Sequence, residues 1–127
     1  MNIHEHQAKS ILKEFKAPVL NGVVVFDAKE IKNKVEKLKS AKLVVKAQIY
    51  AGGRGKAGGI KIAKNLEELK KYVENLIGKV LITPQTGPAG RKVKRLYIEE
   101  SCDILKEFYL SCLVDRSSGK IAFISSA

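Results

Sequence analysis

Lys46 and the run Ala51-Gly52-Gly53-Arg54-Gly55-Lys56-Ala57-Gly58-Gly59 carry the clearest chemistry in this sequence. Five glycines stand in the eight positions from Gly52 to Gly59, whereas two residues suffice to turn a hairpin. The backbone entropy they cost therefore implies a use beyond turning. Glycines let the main chain approach an anion and aim successive N–H groups at it. Arg54 and Lys56 add positive charge within the loop, and Lys46 adds a cation just before it. A chain of phosphates is the ligand this chemistry suits.

The spacing separates the known kinds of phosphate loop. The P-loop pattern G-x-x-x-x-G-K-[ST] fails, because Tyr50 holds its first glycine position and Ala57 follows Lys56. Gly53-x-Gly55-x-x-Gly58 satisfies G-x-G-x-x-G, but a dinucleotide fold starts a helix there, and Gly59-Ile60-Lys61-Ile62 reads as strand. Protein kinases place their lysine on a strand after the glycine-rich cover, whereas Lys46 precedes it. ATP-grasp enzymes have the order found here. On these local features alone, a glycine-rich hairpin beside an incidental lysine stays open.

The elements that must position these residues are also legible. Leu43 to Ile49 reads as a strand, with Val44, Lys46 and Gln48 on one face and Val45, Ala47 and Ile49 on the other. Ahead of it, Ala8, Ile11, Leu12 and Phe15 recur at helical spacing, Asn2 and Glu5 have the capping-box layout, and Pro18 marks the exit. Val23 to Phe26 predicts a strand, and Asp27 with Glu30 caps a lysine-rich helix running to about Lys39. Ile60 to Ala63 predicts a returning strand. Asn65 then opens a helix with Leu66, Leu69, Tyr72, Val73 and Leu76 inward, stopped by Gly78. Val80 to Thr83 and Val93 to Glu99 predict strands on either side of a Pro- and Gly-rich loop, and Glu107 to Asp115 and Lys120 to Ser125 predict a hairpin across Arg116-Ser117-Ser118-Gly119. A chain that stops at Ala127 directly after a strand leaves an edge unprotected, so a fragment is expected.

At 127 residues and 45% hydrophobic content, the chain is the size of one small domain that builds its core without disulfides or metal. Cys102 and Cys112 lack zinc-ligand spacing and read as reduced thiols, Cys112 as a small apolar strand residue. No apolar run approaches the roughly 18 residues of a membrane span, and the start lacks a secretory layout. The expected compartment is the bacterial cytoplasm, with no membrane partner. The net charge of +11 suits a polyanion, but the lysines are spread over the chain and stacking aromatics are few. Nucleic-acid binding is therefore kept only as an alternative.

Several stretches, in order, resemble the β subunit of succinyl-CoA synthetase: Met1-Asn2-Ile3-His4-Glu5-His6-Gln7-Ala8-Lys9, Val44-Val45-Lys46-Ala47-Gln48 and the whole run from Ala51 to Gly59. The match continues through Gln85-Thr86-Gly87, Asp103-Ile104, Lys106-Glu107, Tyr109-Leu110 and Val114-Asp115-Arg116-Ser117-Ser118-Gly119. It covers the chain nearly end to end without a gap. The resemblance implies an ATP-grasp fold of α/β class with a mixed sheet, with residues 1–100 forming the amino-terminal helix and first subdomain and 101–127 the incomplete start of the second.

It also implies a function. The family converts succinyl-CoA, a nucleoside diphosphate and phosphate into succinate, CoA and a nucleoside triphosphate through a phosphohistidine on a partner α subunit, so His4 and His6 read as helix-terminal or packing residues. Lys46 is expected on the nucleotide phosphates, with Gly53, Arg54 and Gly55 contributing loop contacts. Glu99 to Cys102 is expected along the base, with Cys102 acting through its main chain, and Glu107 on the ribose or an adjacent nucleotide group. Leu20 lies where a polar side chain favours guanine in GTP-using relatives, so ATP and ADP are expected over GTP and GDP. Mg²⁺, its ligands and the catalytic residues are expected outside this chain, which alone is expected to be inactive. A related acyl-CoA ligase, such as malate–CoA ligase, shares this apparatus and is the alternative.

Overall fold

The computed structural model describes residues 2–127; Met1, which opens the resemblance, lies outside the described residues. In order, the chain forms α1 (Glu5–Glu14), β1 (Gly22–Val25), a 3₁₀ turn (Ala28–Glu30), α2 (Ile31–Val35), β2 (Leu43–Ala47), β3 (Ile60–Ala63) and α3 (Leu66–Leu76). There follow β4 (Val80–Leu81), β5 (Arg91–Lys92), β6 (Leu96–Glu100), β7 (Tyr109–Asp115) and β8 (Lys120–Ser126). The main sheet has the order β1-β6-β2-β3, while β4 pairs with β5 and β7 with β8. Every pairing among the described residues is antiparallel, and helices pack on this sheet to give an α/β arrangement.

The two faces of the central strands differ, as the alternation in β2 predicts. Val45 and Ala47 are buried in one cluster with Val25, Ile98, Leu96 and the helix residues Ile31, Leu69, Val73 and Leu76. α3 is fixed at its start by Asn65, whose Oδ1 accepts the Glu68 N–H at 2.8 Å, so an amphipathic helix is presented to the sheet with its first turn capped. Leu66 departs from the expected inward set and is exposed. β6 is buried on both faces from Leu96 to Glu99, because α1 covers the face away from this core.

α1 itself runs counter to its own pattern. Ile11, Leu12 and Phe15 are exposed, Phe15 at 80%, and the helix turns Glu5 and Lys9 toward the sheet instead. The face it meets is polar, so a charged helix side satisfies it where an apolar stripe would strand buried ions. The cap differs too: His4 is the N-cap, its N–H donating to Gln7 Oε1 at 2.8 Å, and Asn2 has no such part. α2 is also shorter than expected, ending at Val35. Only Ile31 of this helix is buried, which leaves little tertiary support for a longer lysine-rich helix.

Gly90 closes the loop before β5 with φ +63°, and a Cβ there would lie 2.8 Å from the Leu81 carbonyl oxygen and 2.6 Å from Val80. Gly90→Ala is expected to lower stability by about 2–4 kcal/mol through left-handed strain and overpacking. Urea unfolding checks this, and an unchanged midpoint would contradict it.

Candidate functional site

The pairing of β2 with β6 sets Val44 opposite Glu99 and Lys46 opposite Tyr97, so the Lys46 and Glu99 side chains are diagonal neighbours on one sheet face. Lys46 Nζ donates to Glu99 Oε2 at 2.6 Å and to Glu5 Oε1 at 3.1 Å. Arg54 reaches back from the glycine loop, giving Nη2 to Glu5 Oε2 at 2.8 Å and Nη1 to the Ala47 carbonyl at 2.8 Å. Lys9, one helical turn beyond Glu5, donates to Glu99 Oε1. Three cations thus share two carboxylates across β2, β6, the loop and α1.

Burial decides how strongly these charges act. Glu99 is 2% exposed, so its carboxylate is tenable only because two ammonium groups meet it. Burial opposes ionisation of Glu5, yet Lys46 and Arg54 outweigh it and hold the carboxyl at about 2. Burial likewise opposes the Lys46 ammonium, and the bonds to Glu99 and Glu5 reverse that, raising it above the ordinary lysine value. Burial, then the Glu99 and Glu5 charges, push Tyr97 up to about 12.

A pH prediction follows for Glu5. Its folded value of about 2 lies below the ordinary 4.5, so its contribution is complete above 4.5 and is lost as pH falls from there through about 2. After allowance for solvent screening it is on the order of 1–2 kcal/mol. Glu5→Gln should flatten the acid limb of a stability-against-pH curve in that window, and a variant with the parent's slope would contradict this.

The loop holds its shape with its later amides and leaves its earlier ones unused. Ala57, Gly58 and Gly59 donate to the carbonyls of Gly53, Gly55 and Arg54 at 3.1, 3.0 and 2.8 Å, and Gly52 donates to Gln85 Oε1 at 2.6 Å. The N–H groups of Gly53, Arg54, Gly55 and Lys56 donate to no acceptor among the described residues. Gly59 is required by contact, since a Cβ there would lie 2.6 Å from Leu81 and 3.1 Å from the Arg54 carbonyl. Glu5, Tyr50, Gly52, Arg54 and Gln85 line a cavity of about 450 Å³ beside this loop.

Lys46, Arg54 and Glu99 are therefore brought together, and Gly53 and Gly55 flank Arg54 in the same loop. Cys102 and Glu107 stand apart: both are exposed in the irregular segment after β6, and no hydrogen bond joins either to the cluster among the described residues. Within Glu99 to Cys102, Glu100 N–H donates to Asn21 O and Ser101 N–H to Lys42 O, so Cys102 is the first of the four past this pairing. Glu5 and Lys9 were missed as site residues from sequence. Their signals in the sequence are an acid and a base at i and i+4 beside the apolar stripe and their place in the stretch from Met1 to Lys9 that carries the resemblance. Among the described residues no group of three or more His, Cys, Asp or Glu converges, and Glu5 and Glu99 are already engaged by cations, so these side chains do not fit a divalent metal.

A family model described as an ATP-grasp domain matches residues 2–127. The chain belongs to the ATP-grasp family. As an ATP-grasp domain it is a nucleotide-binding unit, and its strand, glycine loop and returning strand are β2, Gly52 to Gly59 and β3. Curated relatives include the succinate–CoA ligase [ADP-forming] subunit beta of Pelagibacter ubique, 63% identical over 126 residues that make up 99% of this chain and 33% of the relative. The proteins of the same name from Bacillus velezensis and Rickettsia massiliae are 53% and 54% identical over the same shares. The ATP-grasp chain thus spans about a third of the length of these relatives. No helix among its described residues is long and apolar enough to cross a membrane.

Proposed function

We propose that this ATP-grasp chain is the nucleotide-binding part of the β subunit of a succinate–CoA ligase, which turns succinyl-CoA, ADP and phosphate into succinate, CoA and ATP. The observation that carries the reading is the convergence of Lys46 and Arg54 on one carboxylate, Glu5, beside four unspent loop amides. A carboxylate held by two cations is a stand-in for a phosphate oxygen. Nucleotide phosphates would take over Lys46, Arg54 and the amides around Gly53 and Gly55, and Glu5 would be released from them.

The remaining roles belong to the same proposal. Glu99 positions the Lys46 ammonium, which on a rigid strand stabilises charge on a phosphoryl group in transfer. Cys102 follows the base through its main chain, Glu107 meets the ribose or an adjacent nucleotide group, and Leu20 favours adenine by offering guanine no hydrogen bond. Residues 1–100 make the first subdomain, and the exposed hairpin β7–β8 begins the second. The complete enzyme draws on an α subunit for its phosphohistidine and on residues outside this chain for Mg²⁺, and it works in the cytoplasm. The support for these points is the named relatives and the sequence resemblance.

The test joins residues 1–127 to the remaining two thirds of the Pelagibacter ubique subunit and assembles the chimera with that organism's α subunit. ADP-dependent ATP formation from succinyl-CoA is expected from the chimera and none from the 127-residue chain alone. An inactive, folded chimera, or activity in the isolated chain freed of host enzyme, would overturn the proposal.

A further inference from the structure

A second cavity, of about 560 Å³, lies between the start of α1 and the strand connection from Gly90 to Arg95. Arg91, Lys92, Lys94 and Arg95 line it together with His4, Gln48 and Tyr50, and no Asp or Glu contributes to its wall. None of these four cations forms an ion pair among the described residues, where the paired cations are Lys9, Lys34, Lys46 and Arg54. The local charge is therefore uncompensated, which costs self-repulsion unless an anion arrives.

An independent observation points the same way. Among the described residues three buried side-chain nitrogens lack a hydrogen-bond partner: His4 Nδ1, His6 Nε2 and Arg95 Nε. Two of the three belong to residues that line this cavity. A buried polar atom left unpaired costs about 1–3 kcal/mol, and such atoms in native proteins mark a place where a partner is missing. His4 is 7% exposed and stacks on the Tyr50 ring with centroids 4.0 Å apart and planes 11° from parallel, so its imidazole is held rather than free to seek water. Burial first, then Arg95, keeps that imidazole below its ordinary value; a seated anion would reverse the effect.

We propose that this cavity is a second anion site, built for a small molecule carrying linked phosphates and distinct from the Lys46 cluster. Four cations match the charge of an oligophosphate, and a guanidinium grips phosphate oxygens in pairs. His4 Nδ1 and Arg95 Nε supply the inner contacts, and Arg91, Lys92 and Lys94 the outer ones. The site adjoins the Glu5 and Arg54 cavity, with which it shares Asn2, Ile49 and Tyr50. It does not depend on the nucleotide reading of that neighbour.

The experiment is a ¹⁵N NMR titration of the full 127-residue chain with inorganic tripolyphosphate at fixed ionic strength, repeated with citrate. Saturable shifts are expected at the His4 imidazole, at Arg95 Nε and at the amides from Arg91 to Arg95. The Arg91→Ala/Lys94→Ala variant changes only exposed side chains and should weaken those responses at least about tenfold, leaving shifts around Lys46 and Gly53 as in the parent. Shifts confined to Lys46 and the glycine loop, a response that never saturates, or an affinity unmoved by the double substitution would overturn the site. Tripolyphosphate binding well above citrate supports linked phosphates as the ligand, and equal binding overturns that assignment.

Discussion

Glu99→Ala should unfold about 3–5 kcal/mol more readily than the parent chain, the largest stability loss expected of any side-chain truncation in the polar cluster. Glu99 sits on β6, between β1 and β2, and its carboxylate meets both Lys46 and Lys9. Removing it leaves two ammonium groups facing a buried sheet position with only Glu5 to share, and an uncompensated charge costs more than the pair contributed. Glu99→Gln keeps the shape and accepts one bond, so a smaller loss of about 1–3 kcal/mol is expected. Joining Glu99→Leu to Lys46→Met removes charge from both sides and should recover much of the loss. Urea unfolding of the set checks this, and a Glu99→Ala loss below about 1 kcal/mol would show that water reaches the lysines.

Lys46→Met, made in the chimera proposed above, should weaken ADP binding about 100-fold and slow ATP formation by a further 10²–10³. The first effect is the loss of a charge-assisted bond in a partly desolvated site. The second arises because the same cation faces charge that develops during transfer. Glu5→Gln should act in the opposite direction on binding, since the neutral amide competes less well than a carboxylate for Lys46 and Arg54. Calorimetric titration with ADP separates the two variants. Weaker binding in Glu5→Gln would mean that Glu5 serves the bound state rather than giving way to it.

Much of the main sheet was legible because its pattern is local. The alternation in Leu43 to Ile49 reports that one face of β2 is apolar and the other carries Lys46, and Asn65 marks the start of α3 by a bond three residues long. The turn between β7 and β8 reads from Asp115 to Gly119 for the same reason: Ser117 donates to Asp115 at 3.0 Å, and Gly119 supplies φ +66°. α1 was legible as a helix but not in its orientation. Its apolar residues announce an amphipathic element, and nothing in them says that the neighbouring surface is a row of ions.

By itself the sequence determined which residue types stand at Lys46 and in the glycine loop, the succession of strand, loop and strand around them, and membership of the ATP-grasp family. Those are properties of residue type and near spacing. Only the tertiary structure decided that Glu5 pairs with Lys46 and Arg54 and that Lys9 pairs with Glu99, and that Arg91, Lys92, Lys94 and Arg95 close with His4 around a cavity without counter-charge. The three ion pairs join residues 41, 49 and 90 positions apart. Their energy is electrostatic and depends on burial, and burial is set by how the helix and sheet faces meet.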